Sequence, residues 1–281
     1  MTFIVTLIAL LIERFFDWSH LRHWGWYVKY QRAMVARCPK LTSYLLLAVV
    51  VAPPVLGVLL VQYLLQGWFY GLASLVFQLV ILLYCFGTQN LWADAFACIT
   101  SLTQDGPGVA AEKLKATFGL SEGGNVQKLH TDFLGGIFIQ AHNRVFAVVF
   151  WYAILGPAGA MLYRAIAAAS VSNTAQEVLP ELAPPAHTVE EILNWLPARL
   201  FTLLFALAGH FSQVFSCWRK AAPAGLAGNE TLIASCGIAA LGRDDQEKIA
   251  ADGSVERNAV NLLDRVFVIV LVLVLILTLV E

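Results

Sequence analysis

The sequence predicts an all-α fold, a polytopic bundle of membrane helices accompanied by amphipathic helices in the cytoplasm. Only 13% of the 281 residues are charged and 59% are hydrophobic, whereas soluble domains have roughly 25% and 45–50%. The charges are also clustered, so that residues 41–93, 145–163, 200–218 and 266–280 contain none. Irregular chain cannot face lipid, and the sequence has no alternating barrel pattern, so the apolar stretches predict helices.

Six apolar stretches predict a single membrane domain over residues 1–281. They lie at residues 2–12, 43–65, 67–86, 145–169, 192–216 and 266–280. The second to fifth approach or exceed the roughly 20 residues that cross a bilayer, whereas the first and last are shorter and need neighbouring residues to complete a span. The first stretch lacks the basic start and cleavage site of a signal peptide, so we expect it to be retained.

The positive charges predict an orientation. Lys and Arg number 6, 0, 4, 0 and 6 in the segments 13–42, 66, 87–144, 170–191 and 217–265. By the positive-inside rule, the three basic segments lie in the cytoplasm and both chain ends lie outside. Alternatively, the fourth and fifth stretches form a hairpin whose acidic linker stays inside.

The connecting segments carry local patterns of their own. Residues 91–118 predict two helices separated at the QDGPG sequence of residues 104–108, because Pro and Gly end one helix and start the next. Aromatic and basic residues at 13–37 predict an anchor at the membrane interface, with substrate contact as the alternative. Residues 170–191 predict a mobile loop, and residues 228–258 predict a cytoplasmic loop or lid.

Composition and motifs exclude several classes of function. A net charge of −1 gives no field that attracts polyanions, so no nucleic-acid partner is expected. The five cysteines form no CxxC pair and have no His at metal spacing, which predicts free thiols and no metal site. The chain has no phosphate-binding loop, HExxH or GxSxG motif, so its residues predict no catalytic group.

Two arginines that interrupt apolar runs are the main candidates for a binding site. Arg164 and Arg199 lie inside the fourth and fifth stretches, and each follows a proline, Pro157 or Pro197. A charge within a span costs about 2.5–3.5 kcal/mol on insertion scales and usually faces a cavity or a partner. Either the two arginines line one anion-binding pocket, or each extends to the head groups or pairs with a nearby acid.

Other residues are weaker candidates for ligand contact. His142 and Arg144 open the fourth stretch and fit head-group anchors equally well. The small residues of 156–160 (GPAGA) predict a close approach of another helix. The remaining candidates for ligand contact are Tyr163, Asn194, Glu13 and Arg14, of which the last two fit an interfacial ion pair.

Several motifs together resemble the AmpE family. They are residues 10–16 (LLIERFF), 146–152 (FAVVFWY), 155–164 (LGPAGAMLYR) and 194–200 (NWLPARL). AmpE is an inner-membrane protein associated with control of β-lactamase induction in Gram-negative bacteria, and the order of apolar stretches agrees with it across nearly the whole chain. AmpE shares a superfamily with the CobD/CbiB proteins of cobalamin biosynthesis, which use ATP to join an amino alcohol to a cobyric-acid carboxylate.

The acidic motifs of those enzymes have no match in this chain. Where they carry Ala-Glu-Asn and a following Asp-Gly, this chain reads AHN at 141–143 and has no acid between Asp132 and Glu177. Their Gly-Arg-Asp-Thr element is replaced by FGLSE at 118–122. An amide synthase needs acids to hold magnesium and to manage the amine proton.

The resemblance therefore implies a non-catalytic, multi-pass protein of the bacterial inner membrane that modulates β-lactamase induction in response to cell-wall status. Its expected partners are the lipid bilayer and an anionic or cell-wall-derived ligand. ATP and magnesium are expected only if the synthase activity of the superfamily is retained. The alternatives are a membrane ATP-dependent amide synthase and a transporter or flippase for an anionic lipid-linked metabolite.

Overall fold

All regular structure in the described part of the chain is helical, and the predicted all-α membrane class is confirmed. The computed structural model describes residues 2–16, 24–38, 41–65, 71–87, 90–104, 107–118, 126–170, 179–222, 225–242 and 253–280. The helices are α1 (Thr2–Phe15), α2 (Gly25–Arg37), α3 (Ser43–Leu64), α4 (Leu72–Cys85), α5 (Leu91–Gln104), α6 (Pro107–Phe118), α7 (Val126–Ala141), α8 (Ala147–Ser170), α9 (Ala183–Ala208), α10 (Phe211–Ala221), α11 (Asn229–Ala240) and α12 (Ser254–Val280). A π-helical turn, His142–Phe146, joins α7 to α8.

Four segments of the described chain are long and apolar enough to cross a membrane. They are Ser43–Leu64, Gln127–Ser170, Ala183–Ala208 and Ser254–Leu279. The stretch predicted at 67–86 contains the 14-residue α4, about 21 Å long and shorter than a hydrocarbon core of about 30 Å. The stretch predicted at 266–280 is part of the 27-residue α12, because polar residues extend that helix toward its N-terminus.

The connecting segments differ from their predictions in two places. The loop predicted at 170–191 is wrong from Ala183 onward, where α9 begins with two prolines in its first turn, a position that tolerates proline. The loop or lid predicted at 228–258 is wrong over α11, which buries Leu232, Ile233 and Cys236. The two helices predicted within 91–118 are confirmed as α5 and α6.

The stretch predicted at 192–216 is divided between two helices. The α9 helix ends at Ala208 and α10 begins at Phe211. At the break, the His210 amide donates to the Ala240 carbonyl across 3.1 Å, and a Cβ on Gly209 would lie 2.4 Å from that oxygen. This close approach requires a residue without a side chain at position 209.

The chain forms two compact units, each assembled from distant segments. Unit 1 comprises Met1–Gln89, Ala147–Leu193 and Val274–Glu281, and unit 2 comprises Asn90–Phe146 and Asn194–Leu273. In unit 1, α8 packs against α3 and α4, and α1 packs against α4. In unit 2, α11 packs against α7 and α10.

The α8 helix is broken at Gly156. This residue has φ 68° and ψ −158°, a conformation that is essentially restricted to glycine. A Cβ on Gly159 would lie 2.3 Å from the carbonyl oxygen of Trp151, although eight residues of continuous helix rise about 12 Å. The chain therefore bends back at Gly156. Gly159 therefore closely approaches its own helix, whereas the approach of another helix predicted for 156–160 stays a prediction.

Candidate functional site

A group of aromatic rings lies beside Arg164 in unit 1. We call Arg164, Trp24, Trp26, Tyr27 and Tyr84 the Arg164 cluster. The Arg164 guanidinium carbon lies 5.7 Å from the centre of the Trp24 ring, within the range of a cation–π contact. Trp24 stacks on Tyr84 with ring centroids 5.2 Å apart and meets the edge of Tyr27 at 5.3 Å. These contacts place the permanent cation of α8 against an aromatic wall formed by Trp24 and by rings of α2 and α4.

Hydrogen bonds fix the rings of the Arg164 cluster. The Tyr27 hydroxyl donates to the Ala165 carbonyl across 3.3 Å, and the Trp26 indole donates to the Tyr84 hydroxyl. Burial raises the pKa of Tyr27, which keeps the phenol neutral and able to donate. The Trp24 Nε1 group is buried without a hydrogen-bond partner in the described chain. A buried donor beside a permanent cation favours an anionic ligand.

The cluster changes the interpretation of residues 13–37. Trp24 and Tyr27 are 1% and 0% exposed, so they belong to the interior of unit 1 and do not form the predicted interfacial anchor. Trp26 is 47% exposed and is the ring that remains accessible. The predicted basic and aromatic residues at 17–23 lie outside the described residues.

The other candidates of unit 1 lie on α1 and α8. Glu13 is completely buried. Arg14 places its guanidinium carbon 5.8 Å from the ring centre of Phe15. Tyr163 is buried beside Arg164 in the sequence. Ligand contact by these residues remains a prediction.

Arg144 is the centre of a polar cluster in unit 2. Its Nη1 donates to Asp94 Oδ2 at 2.9 Å, its Nε to Gln140 Oε1 at 2.8 Å, and its Nη2 to the Thr117 carbonyl at 3.3 Å. Arg144 is only 8% exposed. The head-group anchor that the sequence offers for Arg144 is therefore wrong, since this side chain joins α5, α6 and α7 from inside the unit.

Arg144 and His142 both lie in the π-helical turn. Such turns are rare and are frequent at functional sites. His142 is completely buried, and its ring lies 5.9 Å from that of Phe146 and 5.6 Å from that of Phe201. Its Nδ1 pairs with Asn143 Oδ1 at 2.8 Å, and its Nε2 has no hydrogen-bond partner in the described chain. This burial likewise excludes a head-group anchor at His142.

Arg199 holds the connection between α10 and α11. Its guanidinium donates to the Ala222 carbonyl at 2.9 Å and to Asn229 Oδ1 at 3.2 Å. It also lies 4.2 Å from the ring centre of Trp195. These contacts give Arg199 a structural role within unit 2.

Arg164 and Arg199 belong to different units, and their shared pocket remains a prediction. Asn194 is buried at 8% exposure, with its Oδ1 lacking a hydrogen-bond partner in the described chain. A ligand role for Asn194 also remains a prediction.

Two further polar pairs of unit 2 were not anticipated from the sequence. His130 Nδ1 pairs with Glu256, which is completely buried, and Trp92 Nε1 donates to Asp264 Oδ1 at 2.9 Å. The residues of these pairs are 126 and 172 positions apart. Only the spacing of Glu256 and Asp264, about two turns apart on α12, could have indicated that both face the interior.

The described residues do not fit the magnesium-binding acids of the superfamily enzymes. They contain no group of three His, Cys, Asp or Glu side chains placed to hold a metal ion. Asp94 is paired with Arg144, and Glu256 with His130. Paired carboxylates of this kind join neighbouring helices.

The fold and these buried polar groups define a helical integral membrane protein with cations in its interior. The chain belongs to the AmpE family, described as "regulatory signalling modulator protein AmpE", whose profile matches residues 1–281.

The chain is also similar to proteins named "cobalamin biosynthesis protein CobD". The protein from Chromobacterium violaceum is 26% identical over 196 residues, which cover 66% of this chain and 62% of that protein. The protein from Stutzerimonas stutzeri is 31% identical over 107 residues, which cover 36% of this chain and 33% of that protein. The matches thus span less than two thirds of these relatives. No solved structure matches the chain significantly.

Proposed function

We propose that this protein is a multi-pass regulatory protein of the bacterial inner membrane that modulates β-lactamase induction in response to cell-wall status. The observation that carries the proposal is the match to the AmpE family over residues 1–281. The four candidate spans support the location in a membrane. In this role the protein acts through binding and conformation, without catalysis.

The Arg164 cluster is the proposed ligand contact. Its guanidinium stays charged at any physiological pH, and the Trp24 indole supplies a buried donor without an acceptor. An anionic, cell-wall-derived metabolite would place negative charge beside the Arg164 guanidinium and an acceptor oxygen at the Trp24 indole. The aromatic wall would cover the uncharged part of such a ligand.

Deletion and complementation test this function. The gene is deleted, and β-lactamase activity is measured after exposure to a β-lactam. We expect altered induction in the deletion strain, restoration by the wild type, and no restoration by Arg164→Met. The matched control is Arg37→Met, which removes an exposed arginine and should restore induction. Immunoblots of membranes establish equal abundance of the variants.

Two results would contradict the proposal. Unchanged induction and unchanged pools of cell-wall fragments in the deletion strain exclude the regulatory role. Full restoration by Arg164→Met at normal abundance excludes the Arg164 cluster as the ligand contact and leaves the regulatory role intact.

The similarity to CobD over 196 residues favours a second candidate, a membrane ATP-dependent amide synthase. Purified protein with ATP, magnesium and a panel of carboxylic acids and amino alcohols should then release phosphate and form an amide. The absence of turnover across this panel, in protein that remains folded, excludes the synthase.

A further inference from the structure

We propose that Cys217 and Cys236 form a redox-active dithiol, which hydrogen peroxide converts to a disulfide between α10 and α11. Both residues belong to unit 2, and both are thiols in the structure. A hydrogen bond joins their side chains, so the two sulfur atoms are already within reach of each other. This modification site is independent of the Arg164 cluster and goes beyond the regulatory role.

The packing of α10 against α11 places the two cysteines side by side. The start of α10 is tied to the end of α11, where the His210 amide donates to the Ala240 carbonyl across 3.1 Å, so the two helices run antiparallel. Arg199 holds the connection at their other end. Counted from the His210–Ala240 bond, Cys217 lies about 10 Å along α10 and Cys236 about 6 Å along α11. The two residues therefore differ in height by less than about one helical turn, as a bridge between neighbouring helices requires.

The two thiols differ in exposure and in protonation, which assigns the order of reaction. Cys236 is completely buried, whereas Cys217 is partly exposed. The hydrogen bond to Cys217 and burial both raise the pKa of Cys236, so Cys236 keeps its proton and donates the hydrogen bond to the Cys217 sulfur. The thiolate is the reactive form of cysteine. Cys217 is therefore the thiol that peroxide attacks first, and Cys236 is the thiol that completes the disulfide.

The reaction consumes one peroxide and forms two waters. The Cys217 thiolate attacks a peroxide oxygen and the O–O bond breaks. Hydroxide leaves and takes up a proton as water, and Cys217 becomes a sulfenic acid. The Cys236 sulfur then attacks the Cys217 sulfur, the S–O bond breaks, and the hydroxyl leaves as water with the Cys236 proton. The two sulfurs lose two electrons, which the peroxide oxygens gain.

The predicted location of the pair favours a reversible modification. Residues 217–265 form one of the basic segments that the positive-inside rule assigns to the cytoplasm. Disulfides there are usually transient and serve catalysis or redox sensing, because cellular thiols reduce them by exchange. The dithiol would therefore fix α10 to α11 during oxidative stress and release them afterwards.

Peroxide oxidation followed by peptide mapping tests the dithiol. Full-length protein in detergent receives hydrogen peroxide, the remaining thiols are alkylated as the protein is unfolded, and mass spectrometry identifies the linked peptides. We expect one main product, in which Cys217 is joined to Cys236 and which dithiothreitol cleaves. Cys38→Ser is the matched control, because it removes another partly exposed thiol, and it should leave the yield of this product unchanged.

Single variants separate the roles of the two thiols. Cys236→Ala removes the second thiol, so the sulfenic acid at Cys217 should persist and be labelled by dimedone, which traps that group. Cys217→Ser leaves only the buried Cys236 of the pair and should yield neither the linked peptide nor dimedone labelling at position 236. Circular dichroism and thermal unfolding establish that each variant is folded.

Three results would overturn the proposal. The first is folded wild-type protein in which peroxide forms no bond between Cys217 and Cys236. The second is linkage of Cys217 to Cys38, Cys85 or Cys98 as often as to Cys236, which indicates random collisions of thiols. The third is dimedone labelling of Cys236 in folded Cys217→Ser protein, which contradicts the order of attack.

Discussion

Arg144 shows how one side chain can join several helices. Its three donor nitrogens contact Asp94, Gln140 and the Thr117 carbonyl. This planar fork suits guanidinium, whereas the lysine ammonium is a compact charge on a flexible stem. The same argument applies to Arg199, which bonds backbone carbonyls of the α10–α11 connection. At both positions, charge alone cannot replace the geometry of arginine.

We therefore expect Arg144→Lys to destabilise the protein. The loss should be about 2 kcal/mol, because hydrogen bonds to charged groups contribute roughly 1.5–3 kcal/mol and lysine cannot reach all three acceptors. Thermal unfolding in detergent measures the change, with Arg37→Lys on the exposed face of α2 as the control. An Arg144→Lys protein that unfolds at the same temperature as the wild type contradicts this prediction.

Burial also determines thiol reactivity. Burial raises the pKa of the Cys98 thiol to about 11, and the thiolate is the form that reacts. At pH 8 its thiolate fraction is about 100-fold below that of an ordinary thiol, and it increases as the pH rises toward 11. In folded protein we expect slow maleimide labelling of Cys98 that accelerates with pH and becomes rapid after unfolding.

Mass spectrometry of labelled peptides measures these rates. Cys38, half-buried at the end of α2, serves as the accessible reference within the same sample. Equal labelling of Cys98 and Cys38 at pH 8 would show that Cys98 is not protected.

At the scale of the element, the path of α8 depends on a single residue, Gly156. Gly156 has φ 68° and ψ −158°, and the helix bends back there so that Gly159 meets Trp151. The sequence predicts small residues in close contact but not the reversal, because proline within an apolar run fits a mild kink equally well. The reversal becomes visible only when the dihedral angles are known.

Gly156→Ala should therefore destabilise unit 1. An alanine at these angles is strained by about 1–3 kcal/mol. Gly57→Ala is the matched control, because a Cβ there meets nothing within 4 Å and alanine favours a helix. The midpoint of thermal unfolding should fall for Gly156→Ala and stay level or rise for Gly57→Ala. The opposite order would show that the backbone at 156 tolerates a side chain.

At the scale of the whole molecule, the basic segments predict the orientation in the membrane. The segments rich in Lys and Arg should lie in the cytoplasm. Alkaline phosphatase fused after residue 68 or 175 should therefore be active, because it lies outside the cytoplasm. A fluorescent protein fused after residue 122 or 248 should fluoresce, because it lies in the cytoplasm. An inactive phosphatase at 175 would support the hairpin with its acidic linker inside. The control is each fusion protein attached to a membrane helix of known orientation.

The sequence predicted the class of fold well because hydropathy depends on local composition. The break between α5 and α6 could also be predicted from local sequence, since Pro107 starts a helix. The Arg144–Asp94 pair joins residues 50 positions apart, and the His130–Glu256 pair joins residues 126 positions apart. Neither pair could be predicted, because both require knowledge of which helices meet. The helix at 229–240 could not be predicted because its apolar residues have no helical periodicity and the residues after it, 241–258, are mostly polar or charged.

The assembly of unit 1 from distant segments has a consequence during synthesis. Trp24 and Tyr84 leave the ribosome long before Arg164, and α8 follows only after about 60 residues of unit 2 have been made. A nascent chain that stops before Ala147 therefore inserts α1 to α4 without the helix that completes their core. Such a chain would expose its aromatic face until the rest arrives, which makes truncated products targets for proteolysis at the membrane.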